Sequence, residues 1–220
     1  MTDYERHTLN AYRTSERAAE YKRFHTTDWS WGRFVTWLEQ RAIAQELGRY
    51  KWKPSDQLLD IPCGAGILGK LLHQFPFQIV ASDISPEMMD IARAEYPTDR
   101  LINCTQADIT DTPFPQGSFA CVITLGFLHR VPTEIKRAAL REISDLSNHM
   151  VIISCSVDTP LQRIKQTVLS WVKRNHIPAP CPVPIKDIIA ECESSDLRVV
   201  RAFMVLPLLS AHALLVLEKS

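Results

Sequence analysis

The chain has 220 residues, of which 45% are apolar and 23% are charged. This composition is typical of a folded globular protein and excludes a disordered chain, and the length suits one domain with one hydrophobic core. The 25 basic and 25 acidic side chains give a formal net charge of +0. Because the charges balance, we expect no overall electrostatic attraction to nucleic acid.

The beginning of the sequence, MTDYERHTLNAYRTSERAAEYKR, is polar and charged, so it does not resemble a secretory signal. No run approaches the roughly 18 uncharged apolar residues of a membrane-spanning helix. The 6 cysteines, at positions 63, 104, 121, 155, 181 and 192, include no C-x-x-C pair. We therefore expect a cytoplasmic protein with reduced thiols, without a metal site and without a transmembrane segment.

A helical pattern extends over residues 3–49 and stops at a proline-containing break at 51–55. In the part WGRFVTWLEQRAIAQEL, apolar side chains recur near helical spacing at Phe34, Trp37, Leu38, Ile43 and Leu47. The pattern predicts helices with one apolar face, which form a helical cap over residues 1–50.

Strand and helix patterns alternate after this break. Short, nearly continuous apolar runs predict strands at 57–61, 78–82, 101–104, 119–125 and 149–156. Helical patterns lie between them at 66–74, 86–95 and 133–146, the second with Ser85 as N-cap and Pro86 in its first turn. This alternation predicts an α/β core over residues 51–156, with a mainly parallel sheet covered by helices on both faces.

The pattern changes in the last part of the chain. Helices are predicted at 159–174 and 184–193, and they flank the proline-rich HIPAPCPVP. Two strands, at 197–206 and 212–219, are joined by the short loop PLLS, which favours an antiparallel hairpin. We expect a single domain over 1–220, with a variable cap segment at 157–195 and a strand hairpin at 196–220.

The stretch LLDIPCGAGILG carries three glycines, Gly64, Gly66 and Gly69, in the spacing G-x-G-x-x-G. This spacing, after a predicted strand, is a dinucleotide-binding fingerprint, and Asp83 at the end of the next strand could bind the ribose hydroxyls. One interpretation is therefore a nicotinamide-dependent oxidoreductase. However, Asp60 stands four residues before the first glycine, where its charge would repel a pyrophosphate.

Further motifs favour a different ligand. LDIPCGAG, VASDISPEMMDIAR and QADITDTPFPQGSFACVITLGFLHRVP resemble, in order, the motifs of class I S-adenosylmethionine-dependent methyltransferases. The resemblance covers residues 57–156. It implies a Rossmann-like three-layer sandwich whose seven-stranded, mainly parallel sheet has one antiparallel strand near the C-terminus. It also implies S-adenosyl-L-methionine as cofactor and S-adenosyl-L-homocysteine as product.

The resemblance assigns roles to acids that follow successive strands. Asp60 would contact the ammonium group of the cofactor tail, directly or through water. Asp83 would accept from both ribose hydroxyls because a carboxylate has two acceptor oxygens. Asp108 would accept from the adenine amino group. Ile84 and Met88 would pack against the adenine ring.

The same resemblance places other cofactor contacts beside these acids. They are Pro62, Cys63, Gly64, Gly66, Ala107, Ile109 and Leu125. Many family members have glycine where this chain has Pro62, so the cofactor tail is expected to be held slightly differently. Tyr12, Tyr21 and Arg33 are candidates to bind the cofactor carboxylate, with Tyr21 and Arg33 preferred. Gly69 is expected to pack between helices.

An oxygen acceptor must lose a proton during methyl transfer, which a histidine can accept. His129, just after the fourth strand, is the first candidate for this base, and a structural role bonding a neighbouring loop is the alternative. His212 and His25 are further candidates. An aromatic cluster of Trp29, Trp31 and Phe34 could pack on the sheet or stack on the acceptor.

The segment LQRIKQTVLSWVKRNH is amphipathic and could be a solvated cap helix or contact an acidic acceptor or an anionic membrane surface. The sequence thus predicts methyl transfer to a small-molecule or glycan/lipid-precursor acceptor, most often at oxygen. TLGF stands where amino-methylating relatives carry N/D-P-P-Y/F. A non-catalytic cofactor-binding partner subunit and the oxidoreductase are the alternatives. The sequence identifies neither the acceptor nor the oligomeric state.

Overall fold

The protein is described from a computed structural model, which covers residues 31–158, 183–206 and 210–219. Most of the predicted N-terminal cap, the predicted helix 159–174 and most of the PLLS loop lie outside the described residues. The helices are α1 (Trp31–Leu47), α2 (Gly69–Leu72), α3 (Pro86–Ala92), α4 (Thr133–Leu146) and α5 (Ile185–Glu193). The strands are β1 (Gln57–Asp60), β2 (Gln78–Asp83), β3 (Leu101–Gln106), β4 (Phe119–Leu125), β5 (Ser147–Ser156), β6 (Leu197–Met204) and β7 (His212–Lys219).

The strands form one seven-stranded sheet in the order β3-β2-β1-β4-β5-β7-β6. Strands β1 to β5 pair in parallel, whereas β7 runs antiparallel to both of its neighbours, β5 and β6. The predicted fold, a mainly parallel sheet with one antiparallel strand near the C-terminus, is therefore confirmed.

Two hydrophobic layers cover the two faces of this sheet. On one face, Ile43 and Leu47 of α1 pack with residues of α2 and α3 against side chains such as Ile123. On the other face, Leu140 of α4 and Ile188 of α5 pack against the opposite side chains of the same strands. Strands buried on both sides need apolar residues at nearly every position, which explains the continuous apolar runs in the sequence.

Helix bounds agree with the sequence pattern to different degrees. Helix α4 and strand β4 begin and end where the pattern predicts, and Ser85 caps α3 by accepting from the Met88 N–H at 3.2 Å. Helix α2 is much shorter than the predicted 66–74 and is only Gly69–Leu72. The predicted helix would begin GILGKLL, with glycines at positions 66 and 69, and glycine lowers helix stability.

The apolar face predicted for α1 is only partly correct. Ile43 and Leu47 are fully buried, but Phe34 and Trp37 are 45% and 50% exposed. The buried face instead includes two acids, Glu39 and Glu46, which have partners inside the molecule. Among the described residues, no helix combines the length and the apolarity needed to cross a membrane.

Candidate cofactor and acceptor site

The candidate site lies at the carboxyl ends of the parallel strands. Strand β1 pairs with β2 on one side and with β4 on the other, so the strand order reverses at β1: β2 and β3 extend the sheet one way, and β4 and β5 the other. Such a switch point opens a crevice between adjacent loops, and it is the usual ligand position in open α/β sheets. The motif residues predicted from the sequence follow β1, β2, β3 and β4 at this edge.

Asp83 ends β2 and connects two of the loops. Its Oδ2 accepts from the Gly64 N–H at 2.8 Å, and its Oδ1 accepts from the Ser85 N–H at 2.9 Å. Burial raises the pKa of Asp83, and the backbone donors oppose this shift. Each carboxylate oxygen keeps a further lone pair, so Asp83 can still accept from two hydroxyl groups of a ligand.

Asp60 ends β1 and is only 2% exposed. The Tyr96 hydroxyl donates to its Oδ2 at 2.5 Å. Burial raises the pKa of Asp60 to about 7, the Tyr96 hydrogen bond lowers it, and the nearby Asp83 raises it. A buried carboxyl with one hydroxyl partner is stabilised in its charged form by a cation, so this position is suited to an ammonium or sulfonium group.

The glycines of the fingerprint have different structural roles. Gly64 and Gly66 have φ angles of 52° and 75°, in the left-handed region that favours glycine. A Cβ at Gly66 would lie 2.9 Å from the Ala92 backbone, and one at Gly69 would lie 2.3 Å from the Glu95 carbonyl oxygen. Gly66 and Gly69 thus allow close packing against the end of α3, as expected for Gly69. Gly64 is the glycine bonded to Asp83.

The residues expected around the adenine follow β2 and β3, at the same edge of the sheet. Ile84 is 38% exposed, and Met88 of α3 is buried. Asp108 is exposed, and its Oδ1 accepts from the Thr110 N–H at 2.9 Å and from the Thr110 hydroxyl. The structure therefore places an exposed apolar side chain and an acid on loops that follow adjacent strands. Ala107 and Ile109, on either side of Asp108, are buried.

The remaining predicted cofactor contacts lie around the β1 loop. Pro62 follows a cis peptide bond and is half-buried, and the N–H of Cys63 donates to the Ser82 carbonyl at 2.8 Å. Leu125 is half-buried at the end of β4. Arg33 lies exposed in the first turn of α1. Tyr21, like Tyr12, lies outside the described residues.

His129 is held by the backbone rather than open to the site. It is 7% exposed, and its Nδ1 accepts from the Ser156 N–H at 3.1 Å. Burial, with the charges of Arg130, His212 and Lys136, lowers its pKa to about 3. The neutral ring therefore carries its proton on Nε2. This geometry favours the structural alternative for His129 over the role of a base.

A second polar group stands at the ends of β5 and β7. The Ser154 hydroxyl donates to Glu39 Oε1, and His212 Nδ1 lies 3.7 Å from the same oxygen. The His212 side chain is 39% exposed, so part of its ring faces solvent. Sequence patterns did not indicate Glu39 because it lies on a helix among other polar residues. His25 and Trp29 lie outside the described residues.

The described part of the aromatic cluster does not pack on the sheet. Trp31 and Phe34 are about half exposed, with ring centroids 5.8 Å apart. Tyr96, which bonds Asp60, is a further residue that the sequence did not indicate, because no local pattern links residues 36 positions apart. Within the described ranges, no group of three or more His, Cys, Asp or Glu side chains could hold a metal ion.

Comparisons with known proteins find similar sequences over the part of the chain that contains this site. Residues 58–149 match the family model of a methyltransferase domain. The chain is 29% identical over 120 residues to a demethylmenaquinone methyltransferase of Clavibacter sepedonicus, covering 54% of this chain and 46% of that protein. It is 29% identical over 80 residues to a malonyl-[acyl-carrier protein] O-methyltransferase of Serratia marcescens, covering 36% and 30%. The matches thus span half or less of these relatives.

The fold has close counterparts among solved structures. Magnesium protoporphyrin IX methyltransferase from Synechocystis PCC 6803 superposes with a TM-score of 0.81 at 15% identity, covering 98% of this chain and 100% of that one. At this identity the similarity concerns the fold, and the family model concerns the sequence that builds the site. The chain thus has a methyltransferase-domain sequence over residues 58–149 and shares its fold with this enzyme.

Proposed function

We propose that the protein is an enzyme that transfers a methyl group from S-adenosyl-L-methionine to a small-molecule acceptor and releases S-adenosyl-L-homocysteine. The observation that carries this proposal is the pair of buried acids around one glycine turn. Asp83 bonds the Gly64 N–H, and Asp60 lies buried at the end of the adjacent strand. This combination suits a ligand with hydroxyl groups and a cationic tail.

The residues fit this cofactor better than a nicotinamide dinucleotide. A pyrophosphate is negatively charged and binds helix N-termini after the glycine loop, away from carboxylates. Here α2 has only 4 residues, and Gly66 and Gly69 face the α3 backbone rather than a ligand. Asp60 would contact the ammonium of the tail, and Asp83 the ribose hydroxyls. Ile84 and Asp108 would contact the adenine.

When bound, the cofactor would supply an electrophilic methyl group on a sulfonium. The acceptor atom would attack the methyl carbon, and the sulfur would leave. The protein's contribution is to orient both reactants and exclude water. Named relatives of this chain act on a quinone precursor, a malonyl carrier and a porphyrin. These names support a small organic acceptor, and we propose oxygen as the acceptor atom.

For an oxygen acceptor, we propose His212 as the proton acceptor, with Glu39 as its positioning residue. Glu39 is held by Ser154 and lies beside His212 Nδ1, which leaves Nε2 for the acceptor hydroxyl. His129 cannot accept the proton in this way, because its Nδ1 already accepts from the Ser156 N–H and its Nε2 carries the ring proton. In this role Nε2 of His212 would accept the hydroxyl proton as the acceptor oxygen takes the methyl group that the cofactor would supply.

Isothermal titration tests the cofactor assignment directly. We expect micromolar binding of S-adenosylmethionine and of its demethylated product, and no binding of NADH. Asp83→Ala should weaken both affinities at least tenfold because it removes the acceptor for the ribose and for the Gly64 N–H. Asp90→Ala, which removes an exposed acid of α3, is the matched control. Binding of NADH alone would instead support the oxidoreductase.

Methyl transfer separates an enzyme from a non-catalytic cofactor-binding subunit. The assay follows radiolabelled methyl groups from the cofactor into a panel of phenols, carboxylic acids, amines and quinols. Product formation that disappears in Asp83→Ala would support the enzyme. Cofactor binding without transfer to any member of the panel would favour the partner-subunit alternative.

A further inference from the structure

The outer face of α1 carries aromatic side chains that belong to neither of the two large core clusters of the described residues. Trp31, Phe34 and Trp37 are 49%, 45% and 50% exposed. Their rings follow one another along the helix, with centroid distances of 5.8 Å and 6.2 Å. With Arg41, they form a surface that we call the aromatic row. Large aromatic side chains in contact on a surface indicate a binding site more often than isolated ones do.

The core of the described residues is built without these aromatic residues. The inner face of α1 is formed by Val35, Glu39, Ile43 and Glu46, which are buried against the sheet. Residues three or four positions apart share a helix face, so the row is a separate stripe on the opposite side. Exposed aromatic side chains lower solubility, and those of the row add nothing to the described core. Exposed apolar residues of this kind are expected on a functional surface.

The charged side chain that α1 contributes to the row is Arg41, whose Cζ lies 5.7 Å from the centre of the Trp37 ring. The two acids of the helix, Glu39 and Glu46, both point inward. The row therefore combines aromatic rings and a guanidinium group with no carboxylate from α1.

We propose that the aromatic row binds the surface of an anionic lipid bilayer. Tryptophan rings are favoured at the boundary between headgroups and acyl chains, and arginine pairs with anionic headgroups. Three half-exposed aromatic side chains present on the order of 300 Å². A stable protein interface needs about 800 Å² on each partner, so the row is too small by itself to hold a second copy of this chain.

The position of α1 relates this surface to the candidate site. Gln40, three positions along α1 from Trp37, donates from its Nε2 to the Ile67 carbonyl in the glycine loop at 2.7 Å. Glu39 reaches Ser154 at the end of β5. Binding of the aromatic row would thus hold this edge of the sheet near the bilayer. The candidate site could then reach a lipophilic acceptor in the membrane. The binding itself does not depend on the proposed methyl transfer.

Vesicle flotation tests the proposal with the intact chain. The vesicles are phosphatidylcholine alone or phosphatidylcholine mixed with phosphatidylglycerol. We expect binding to the mixed vesicles, weakened by high salt. Trp37→Ser should reduce the affinity about tenfold, Arg41→Gln about fivefold, and Trp37→Phe should retain it. Cofactor titration on each variant shows that the folded site persists.

Matched controls remove similar side chains from other surfaces. Ile102→Ser removes a large apolar side chain that is 49% exposed on β3, and Lys70→Gln removes a charge whose side chain is 83% exposed. Both should bind vesicles as the natural chain does. No binding to the mixed vesicles, or equal losses in the controls and in Trp37→Ser, would overturn the proposal. So would a dimer, seen by light scattering, that Trp37→Ser dissociates without changing vesicle binding.

Discussion

Asp60 is the residue whose charge state should report cofactor binding. Burial raises the pKa of Asp60 to about 7, so the carboxyl is largely protonated at pH 6 in the free protein. A cation placed beside it lowers its pKa, so binding releases a proton and affinity rises with pH up to about 7. We expect close to one proton released at pH 6, from titrations in buffers of different ionisation enthalpy.

The control for this prediction is Asp60→Asn, which keeps the size of the side chain and removes its titration. Its affinity should be weaker than that of the natural chain above pH 7 and should change little between pH 5 and 7. Stability has the opposite dependence, because the raised pKa favours the folded state when the carboxyl is protonated. The free protein should lose stability as pH rises from about 4 to 7, at most about 1.4 kcal/mol per pH unit. Identical pH profiles for both proteins would contradict the assignment.

His212 and His129 should respond differently to replacement by glutamine. For a hydroxyl acceptor that the chain methylates, His212→Gln should lower kcat by roughly 10² to 10⁴ with little change in KM, because only proton transfer is lost. Glu39→Gln should lower kcat less and shift the pH profile. His129→Gln should mainly lower thermal stability, because the Ser156 N–H loses its acceptor. A larger loss of kcat in His129→Gln than in His212→Gln would reverse the two roles.

At the scale of elements, the packing of α2 on the end of α3 depends on Gly69. Alanine normally stabilises a helix relative to glycine by about 1 kcal/mol. Here a Cβ would lie 2.3 Å from the Glu95 carbonyl oxygen, which belongs to the backbone and cannot move alone. We therefore expect Gly69→Ala to lower the free energy of unfolding by about 1–3 kcal/mol in urea titrations. A gain in stability would show that α3 shifts freely.

The sequence predicted those elements whose pattern is set by burial on both faces or by local chemistry. Strand β4 is a continuous apolar run, and α3 begins at the Ser85 cap, so both were recognised. The predicted helix at 66–74 was too long because Gly66 and Gly69 serve a contact with α3, which residue spacing alone does not reveal. On α1, the outward position of Trp37 depends on inward acids that find partners far away in the sequence.

The residues of the candidate site also include some that the sequence predicts and some that it does not. Asp60, Asp83 and Gly64 follow strands in a fixed order, so the sequence could place them at one edge of the sheet. Tyr96 and Glu39 could not be recognised, because their partners Asp60 and Ser154 lie 36 and 115 residues away. The state of His129 also depends on the distant Ser156 N–H. Tertiary contacts of this kind decide which candidate residues are free to react.

At the scale of the whole molecule, one ion pair joins α1, the first described helix, to β6, the strand at one edge of the sheet. Arg201 of β6 donates from Nε to Glu46 of α1 at 2.8 Å, across 155 residues of sequence. Glu46 is buried, with a side-chain exposure of 5%, and Arg49 also contacts it at 3.2 Å. The pair therefore connects the two ends of the described fold.

Removing Arg201 leaves Glu46 buried, and among the described residues the more exposed Arg49 is its remaining cationic partner. A buried charge that loses its partner costs about 3–5 kcal/mol, but the Arg201 side chain is 34% exposed, so solvent screening reduces this effect. We expect Arg201→Ala to lower the free energy of unfolding by about 1–3 kcal/mol in urea titrations. Arg198 is on the same strand as Arg201 and forms an exposed pair with Glu218 of β7. Arg198→Ala should lower the free energy of unfolding by less than about 1 kcal/mol. The double variant Arg201→Ala with Glu46→Gln should recover part of the loss, because no unpaired charge remains. Equal losses for Arg198→Ala and Arg201→Ala would mean that the pair contributes no more to stability than a surface salt bridge.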